Sequence, residues 1–389
     1  MGDTLLIRNI GLLLSGDIER PILDADAIRC EDGRIIAIGR ASDLADDADT
    51  VIDAQGVTLA PGLIDSHVHP VVGDYTPRQQ QLHWIDSTLN GGVTTMVSAG
   101  EVHLPGRPKD PVGLKAMAIA AQRWYSAIRP SGVKVHGGAP VIEHGLEEED
   151  FAEMAAAGVR WLGEVGLGTV KDGPTAAKMV GWARKHGMNS TIHTGGPSIP
   201  GSGLIDKDVV LEAGTDVIGH INGGHSALPD DQIVCLCEEC KAGLEIVHNG
   251  NERAALLTVN TARELRRLGD VILGTDGPAG SGVQPLGILR MVAMLSSLGD
   301  VPAEVAFCFA TGNTARIRDL DCGLIEEGRA ADFVLMDRAQ HAPGATILDS
   351  VRLGNLPGVG MTVIDGKVTS RRSRNTPPAT EIPVIEGEG

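Results

Sequence analysis

The sequence predicts an α/β fold, a (β/α)8 barrel of the TIM type with a small β-sandwich formed by both chain ends. Three observations lead there. Apolar strand-like runs alternate eight times with segments of helical spacing through residues 61–320, and β-like runs with tight-turn signals flank them at 1–60 and 321–370. Histidines and carboxylates then recur at the C-terminal ends of the apolar runs, where such a barrel keeps its chemistry.

The N-terminal 60 residues hold short β-like runs at 5–8, 27–30, 34–38, 51–53 and 57–60. Glu31-Asp32-Gly33-Arg34 contains the Asp-Gly pair that favours a type I′ hairpin. The barrel runs lie at 63–69, 92–99, 133–138, 159–167, 189–194, 216–222, 244–249 and 270–276. Candidate helices occupy 79–88, 112–128, 147–157, 175–185, 206–213, 230–242, 252–268 and 285–298. That rhythm fits a closed barrel, with a doubly wound open sheet as the alternative. Beyond residue 320, β-like character returns at 332–337 and 362–364, with a second Asp-Gly turn at Asp365-Gly366. Neither end has enough strands to close a core, so the two combine into one sandwich. Residues 371–389, with Pro377-Pro378 and no periodicity, read as an extended tail, either disordered or laid along a neighbouring subunit.

Composition narrows the function. The net charge is 33 − 51 = −18, with a pI near 5.0. This disfavours nucleic acid or an acidic membrane surface as partner, yet permits a small anionic substrate held by one or two local cations. No apolar run approaches the roughly 20 residues of a membrane span. The start, Met1-Gly2-Asp3-Thr4-Leu5-Leu6, lacks the order of a signal peptide, which points to a cytoplasmic protein. The six cysteines form no evenly spaced framework and are expected as reduced thiols. Cys235, Cys237 and Cys240 sit on one helical segment without a fourth ligand and read as ordinary thiols.

The chemistry centres on Pro61-Gly62-Leu63-Ile64-Asp65-Ser66-His67-Val68-His69. A strand alternates faces with period two, so His67 and His69 emerge on one face and make a two-point start for a metal site. Alone, a His-x-His pair is as readily structural. Glu164 lies late in the fourth run, His193 ends the fifth, His220 the sixth and Asp276 the eighth. Each singly has a structural explanation; six together at strand ends suit two divalent transition metals, with Glu164 as the shared carboxylate.

Val51-Ile52-Asp53-Ala54-Gln55-Gly56, the 61–69 segment, His193, His220, Gly274-Thr275-Asp276, Ala310-Thr311-Gly312-Asn313-Thr314-Ala315-Arg316 and the stretch 323–337 together resemble the amidohydrolase superfamily over nearly the whole chain. The resemblance implies a metal-dependent hydrolase on this same architecture. Many binuclear members bridge their metals with a carboxylated lysine on the fourth strand. Glu164 stands there instead, as in the deacetylase and adenine-deaminase branches, and Lys134 in the third run is a second candidate bridge. Within the superfamily the sequence is similar to members that hydrolyse a cyclic enamide of bacterial nicotinate fermentation, 6-oxo-1,4,5,6-tetrahydronicotinate, to 2-formylglutarate and ammonia. That similarity implies a zinc and iron pair and a homotetramer. An adenine-deaminase-like or deacetylase-like enzyme, and a non-catalytic scaffold on the same fold, are the competing readings.

The implied mechanism assigns His67, His69 and Asp276 to one metal, His193 and His220 to the other, and Glu164 to both. A bridging hydroxide attacks the amide carbonyl, and Asp276 carries the proton to the departing nitrogen. His225, in the loop after the sixth run, is expected to contact the substrate and its developing oxyanion. His248 and Asn249 are expected to contact the ring. A basic residue should bind the substrate carboxylate, but none stands out. The glycine-rich 274–282 segment reads as a lid over the barrel mouth.

Overall fold

The computed structural model describes residues 3–71, 78–101, 104, 106–199, 201–224, 226–278 and 282–388. Eight parallel strands follow the eight apolar runs: β1 (Leu63–Val68), β2 (Val93–Ser98), β3 (Lys134–His136), β4 (Trp161–Val165), β5 (Asn189–Ile192), β6 (Val217–Ile218), β7 (Gly243–Val247) and β8 (Val271–Gly274). Ladders join β1 to β2 to β3, and β4 through β8 in sequence.

Backbone hydrogen bonds close both seams. The Asp276 amide donates to the His67 carbonyl (2.9 Å) and the His69 amide to the Gly277 carbonyl (2.8 Å). On the other side, the Glu164 amide donates to Ala99 (2.8 Å) and the Gly163 amide to Pro140 (2.9 Å). The structure is therefore the closed barrel and not the open sheet. Because strand residues are covered on both faces, these strands are buried along their whole length where a half-exposed strand would alternate.

Helices α1 (Arg78–Leu89), α2 (Pro111–Ile128), α3 (Glu148–Ala156), α4 (Gly173–Lys185), α5 (Lys207–Ala213), α6 (Asp230–Glu239), α7 (Glu252–Glu264) and α8 (Gly287–Ser297) follow their strands. Side chains set where several begin. Asp110, Asp172, Asp206 and Asn251 each accept a backbone amide from the first turn of the helix they precede, a cap that contributes about 1 kcal/mol. These caps fix the far ends of the loops that line the barrel mouth. Three further helices, α9 (Ala303–Phe309), α10 (Gly312–Arg318) and α11 (Ile347–Arg352), are not in the sequence reading. At six or seven residues they are too short to show a helical period. Among the described residues no helix is long and apolar enough to cross a membrane.

Both chain ends build two packed sheets. One orders Val384–Ile385, Thr50–Asp53, Thr4–Arg8, Ala27–Glu31 and Arg34–Gly39; the other orders Lys367–Arg371, Gly358–Ile364, Phe333–Asp337, Thr58–Pro61, Leu12–Leu14 and Ile22–Leu23. Leu5, Ile28 and Ile52 of the first sheet and Leu59, Phe333 and Val363 of the second share one buried cluster. Thr58–Pro61 leads directly into β1, so the sandwich anchors the strand that carries both leading histidines.

The C-terminal segment departs from expectation, since it lies on its own chain. Val384–Ile385 pairs antiparallel with Thr50–Asp53, Glu386 makes an ion pair with Arg8, and Asn375 donates to the Ser87 carbonyl of α1 (2.8 Å). The physical reason is the open edge of Thr50–Asp53, whose unpaired backbone groups the tail satisfies.

Candidate metal centre

The first ligand candidates come from β1. His67 is fully buried; its Nδ1 lies 2.6 Å from Glu245 Oε2 on β7. Since the carboxylate only accepts, Nδ1 carries the proton and Nε2 presents its lone pair inward. Nε2 is buried and has no hydrogen-bond partner among the described residues. His69 follows the same logic: Nδ1 donates to the Gly100 carbonyl (2.7 Å), and Nε2 stands 3.0 Å from Asp276 Oδ1.

Glu164, on β4, reaches both halves of the centre. Its Oε1 lies 2.6 Å from His220 Nε2 and 3.3 Å from His193 Nδ1, while Oε2 lies 3.5 Å from His69 Nε2 and 3.7 Å from His67 Nε2. His193 donates through Nε2 to the Gly196 carbonyl (2.9 Å), which leaves Nδ1 facing His220 Nε2 at 3.0 Å. Donor atoms of His67, Glu164 and His220 lie within 4.8 Å of one another, as do those of His67, His69 and Asp276. His193 adjoins the first of these groups. All six residues named from the sequence therefore meet at one end of the barrel. Two of them, His220 (φ 31°) and Asp276 (φ 58°), hold a left-handed backbone that turns the chain at its strand end. Gly274 is required beside them, because a Cβ there would stand 2.6 Å from that of His67.

Electrostatics favour positive charge in this cluster. Burial opposes protonation of His67 and His220, yet Glu245 and Glu164 outweigh it at His67, raising it well above its ordinary value, and Glu164 and Asp276 outweigh it at His220. Burial likewise works against the charged forms of Glu164 and Asp276, but the surrounding histidines lower both, Glu164 strongly. Inward imidazole lone pairs, ionised carboxylates and no thiolate form an oxygen and nitrogen donor set suited to divalent transition metals, so these residues fit a divalent pair.

Beneath the ligands lies a layer the sequence reading missed. Glu245 also accepts from Ser66 Oγ and from Arg318 Nη2 (2.8 Å), and Arg318 donates to Thr191 Oγ1 (2.6 Å) and the Ser66 carbonyl (3.0 Å). Both charged partners are buried. Burial would raise the Glu245 carboxyl, but Arg318 and His67 pull it down to about 2. Asp65 accepts from the Thr275 amide (2.8 Å) and hydroxyl (2.6 Å), tying β1 to the segment that carries Asp276; burial pushes its carboxyl up to about 7. A carboxylate inside an apolar run, as in Leu244-Glu245-Ile246-Val247, was the available signal.

Other expectations fare differently. Lys134 is not at the centre: it opens β3 and pairs with Asp332 (2.8 Å) and Asp365 (2.6 Å), between barrel and sandwich. A side chain at the start of a barrel strand faces the end opposite the mouth, which removes it as a bridge. Asn249 donates to the Asp276 carbonyl (2.8 Å), and His248 is half-buried beside it, facing Arg290 and Met291 of α8. His225 lies outside the described residues, as do residues 279–281 of the expected lid. Cys235, Cys237 and Cys240 are free thiols on and just after α6.

Comparison with known proteins agrees with this geometry. The family model described as "Amidohydrolase family" matches residues 58–369. An enamidase from Eubacterium barkeri is 48% identical over 375 residues, which cover 96% of this chain and 97% of that protein. A crystal structure of enamidase superposes with a TM-score of 0.95 at 47% identity, covering 98% of this chain and 100% of the other. An adenine deaminase from Rhizobium meliloti is 29% identical across 82% of this chain and 52% of its own length.

Proposed function

The chain belongs to the amidohydrolase family, and on that premise we propose that it hydrolyses the carbon–nitrogen bond of a cyclic enamide, 6-oxo-1,4,5,6-tetrahydronicotinate, releasing 2-formylglutarate and ammonia. As a hydrolase of carbon–nitrogen bonds it matches the enamidase at nearly full length. The observation that carries the chemistry is Glu164, whose two carboxylate oxygens face two separate sets of histidines.

His67, His69 and Asp276 would hold one divalent ion, His193 and His220 the other, and Glu164 both; zinc and iron are the pair that the sequence resemblance implies. Bound there, such a pair supplies a water acidified toward neutral pH and polarises the amide carbonyl. Glu245 keeps His67 in the tautomer whose Nε2 faces inward, and Gly100 does the same for His69. Asp276 is the most exposed of the six, with 13% of its side chain accessible against 3% or less for the others. It is thus the carboxylate able to reach substrate: it accepts the proton of the attacking water and returns it to the ring nitrogen as the C–N bond breaks. Asn249 holds the Asp276 backbone carbonyl, fixing that carboxylate from behind. The released enamine tautomerises to an imine, and a second water converts this to aldehyde and ammonia.

His225 and His248 would contact the substrate from the loops after β6 and β7. A homotetramer and a cytoplasmic location complete the reading, on the strength of the sequence resemblance. The direct test is ammonia release from tetrahydro-oxonicotinate, with adenine as the competing substrate. Release from the first alone supports the proposal; release from adenine alone would replace it with a deaminase.

A further inference from the structure

The proposed substrate carries a carboxylate on its ring, and an anion entering a site walled by Glu164 and Asp276 needs a cation to receive it. Arg107 meets the requirement. It lies in the loop between β2 and α2, and its side chain is only 7% exposed. One arm is fixed: Nη2 donates to Glu143 Oε1 at 2.6 Å, in the loop between β3 and α3. Glu143 is itself held from both oxygens, because Oε2 accepts the Thr169 amide (2.7 Å) from the loop between β4 and α4. The other arm, Nη1, is buried and has no hydrogen-bond partner among the described residues.

All three loops leave C-terminal strand ends, so the pair sits on the rim of the mouth. It also sits close to the ligands. Val141, two residues before Glu143, packs so tightly on Gly100 that a Cβ there would lie 2.8 Å from its Cγ2, and the Gly100 carbonyl is the acceptor for His69 Nδ1. The other described cations of these loops, Lys109 and Lys171, are exposed and half-buried respectively. A buried guanidinium N–H without a partner is costly to leave so, and a planar carboxylate is the group that completes it.

We infer that Arg107 receives the ring carboxylate of the substrate, with Glu143 and Thr169 holding its guanidinium in place. This rests on the reaction proposed above, and the test separates the two. Ammonia release is measured for tetrahydro-oxonicotinate and its methyl ester, and calorimetry follows binding of nicotinate and nicotinamide as unreactive probes. In Arg107→Gln the KM for the acid and the Kd for nicotinate should rise about 10- to 100-fold, as for loss of a charge-assisted hydrogen bond. The kcat, and turnover of the ester, should hold. Arg107→Lys, which keeps the charge without the fork, should fall between, and it carries the test where the glutamine variant does not fold.

Equal losses on acid and ester, or no loss on either, would overturn the assignment. Nicotinate binding that depends on Arg107 in a wild-type protein releasing no ammonia would sink the reaction and keep the arginine. Ammonia release indifferent to both variants would do the reverse. A wild type that binds neither probe and releases nothing would sink both.

Discussion

Glu245 grips His67 at 2.6 Å through the ring nitrogen that faces away from the metal centre, and it does so from the middle of β7 with Arg318 on its other oxygen. The carboxylate thus fixes both the orientation and the tautomer of a proposed metal ligand that it never joins. Glu245→Gln, which keeps an acceptor for Arg318 though not the charge, should lower metal affinity of the folded protein about 10- to 100-fold, the usual cost of removing such a partner. Competition with a calibrated chelator measures this. Affinity equal to wild type would show that His67 is held by packing alone.

Arg318 belongs to stability. Arg318→Met leaves Glu245 as a buried charge with only His67 and Ser66 for partners. Removing one member of a buried ion pair costs about 3–5 kcal/mol, so the urea midpoint should fall sharply. The double variant Arg318→Met/Glu245→Leu should recover much of that loss, because it removes the stranded charge while sacrificing metal affinity.

Acid should destabilise the chain in part through His136, whose ring packs at a tilt against that of Trp161 with centroids 4.7 Å apart. Burial first, then Arg160 and Lys134, push its pKa down to about 4 from 6.5. A base whose folded pKa is depressed is neutral in the fold, so its contribution is complete above pH 6.5 and is lost as pH falls toward 4. The full effect is about 3 kcal/mol. Denaturation midpoints measured from pH 7.5 to 4 should decline in the wild type and flatten in His136→Phe. Parallel curves for the two would remove His136 from the account.

Glu164→Ala should separate the two halves of the centre. With the shared carboxylate gone, the group formed by His67, His69 and Asp276 keeps its donors, whereas His193 and His220 are left as a pair. Metal content by mass spectrometry should drop from two ions per chain to one, and turnover should be lost. Two ions retained at wild-type affinity would show that Glu164 does not join them.

Much of this was legible in the sequence, for a physical reason. Strands buried on both faces carry mainly apolar or small residues, and histidines and carboxylates survive there only where chemistry or a partner holds them; His67, His69, Glu164, His193, His220 and Asp276 therefore stood out at run ends. The longer of helices α1–α8 showed because their apolar faces repeat over several turns. What stayed hidden depends on pairing across the chain. Glu245 and Arg318 are 73 residues apart, and Arg318 lies on a seven-residue helix with no periodic signal. Arg107 likewise gains meaning only beside Glu143, 36 residues on. Lys134 was misjudged because a lysine in an apolar run looks alike at either end of a barrel, and only the strand direction assigns it to Asp332 and Asp365. The tail was misjudged because an edge strand's open backbone leaves no mark in its side chains.

The central claim is that six side chains from β1, β4, β5, β6 and β8 hold two metal ions that the hydrolysis requires. Metal analysis of the purified protein, coupled to ammonia release before and after chelation, tests it most directly. The account predicts two transition-metal ions per chain, activity abolished when both are stripped, and activity restored on adding zinc and iron. Full activity in a metal-free protein would contradict it.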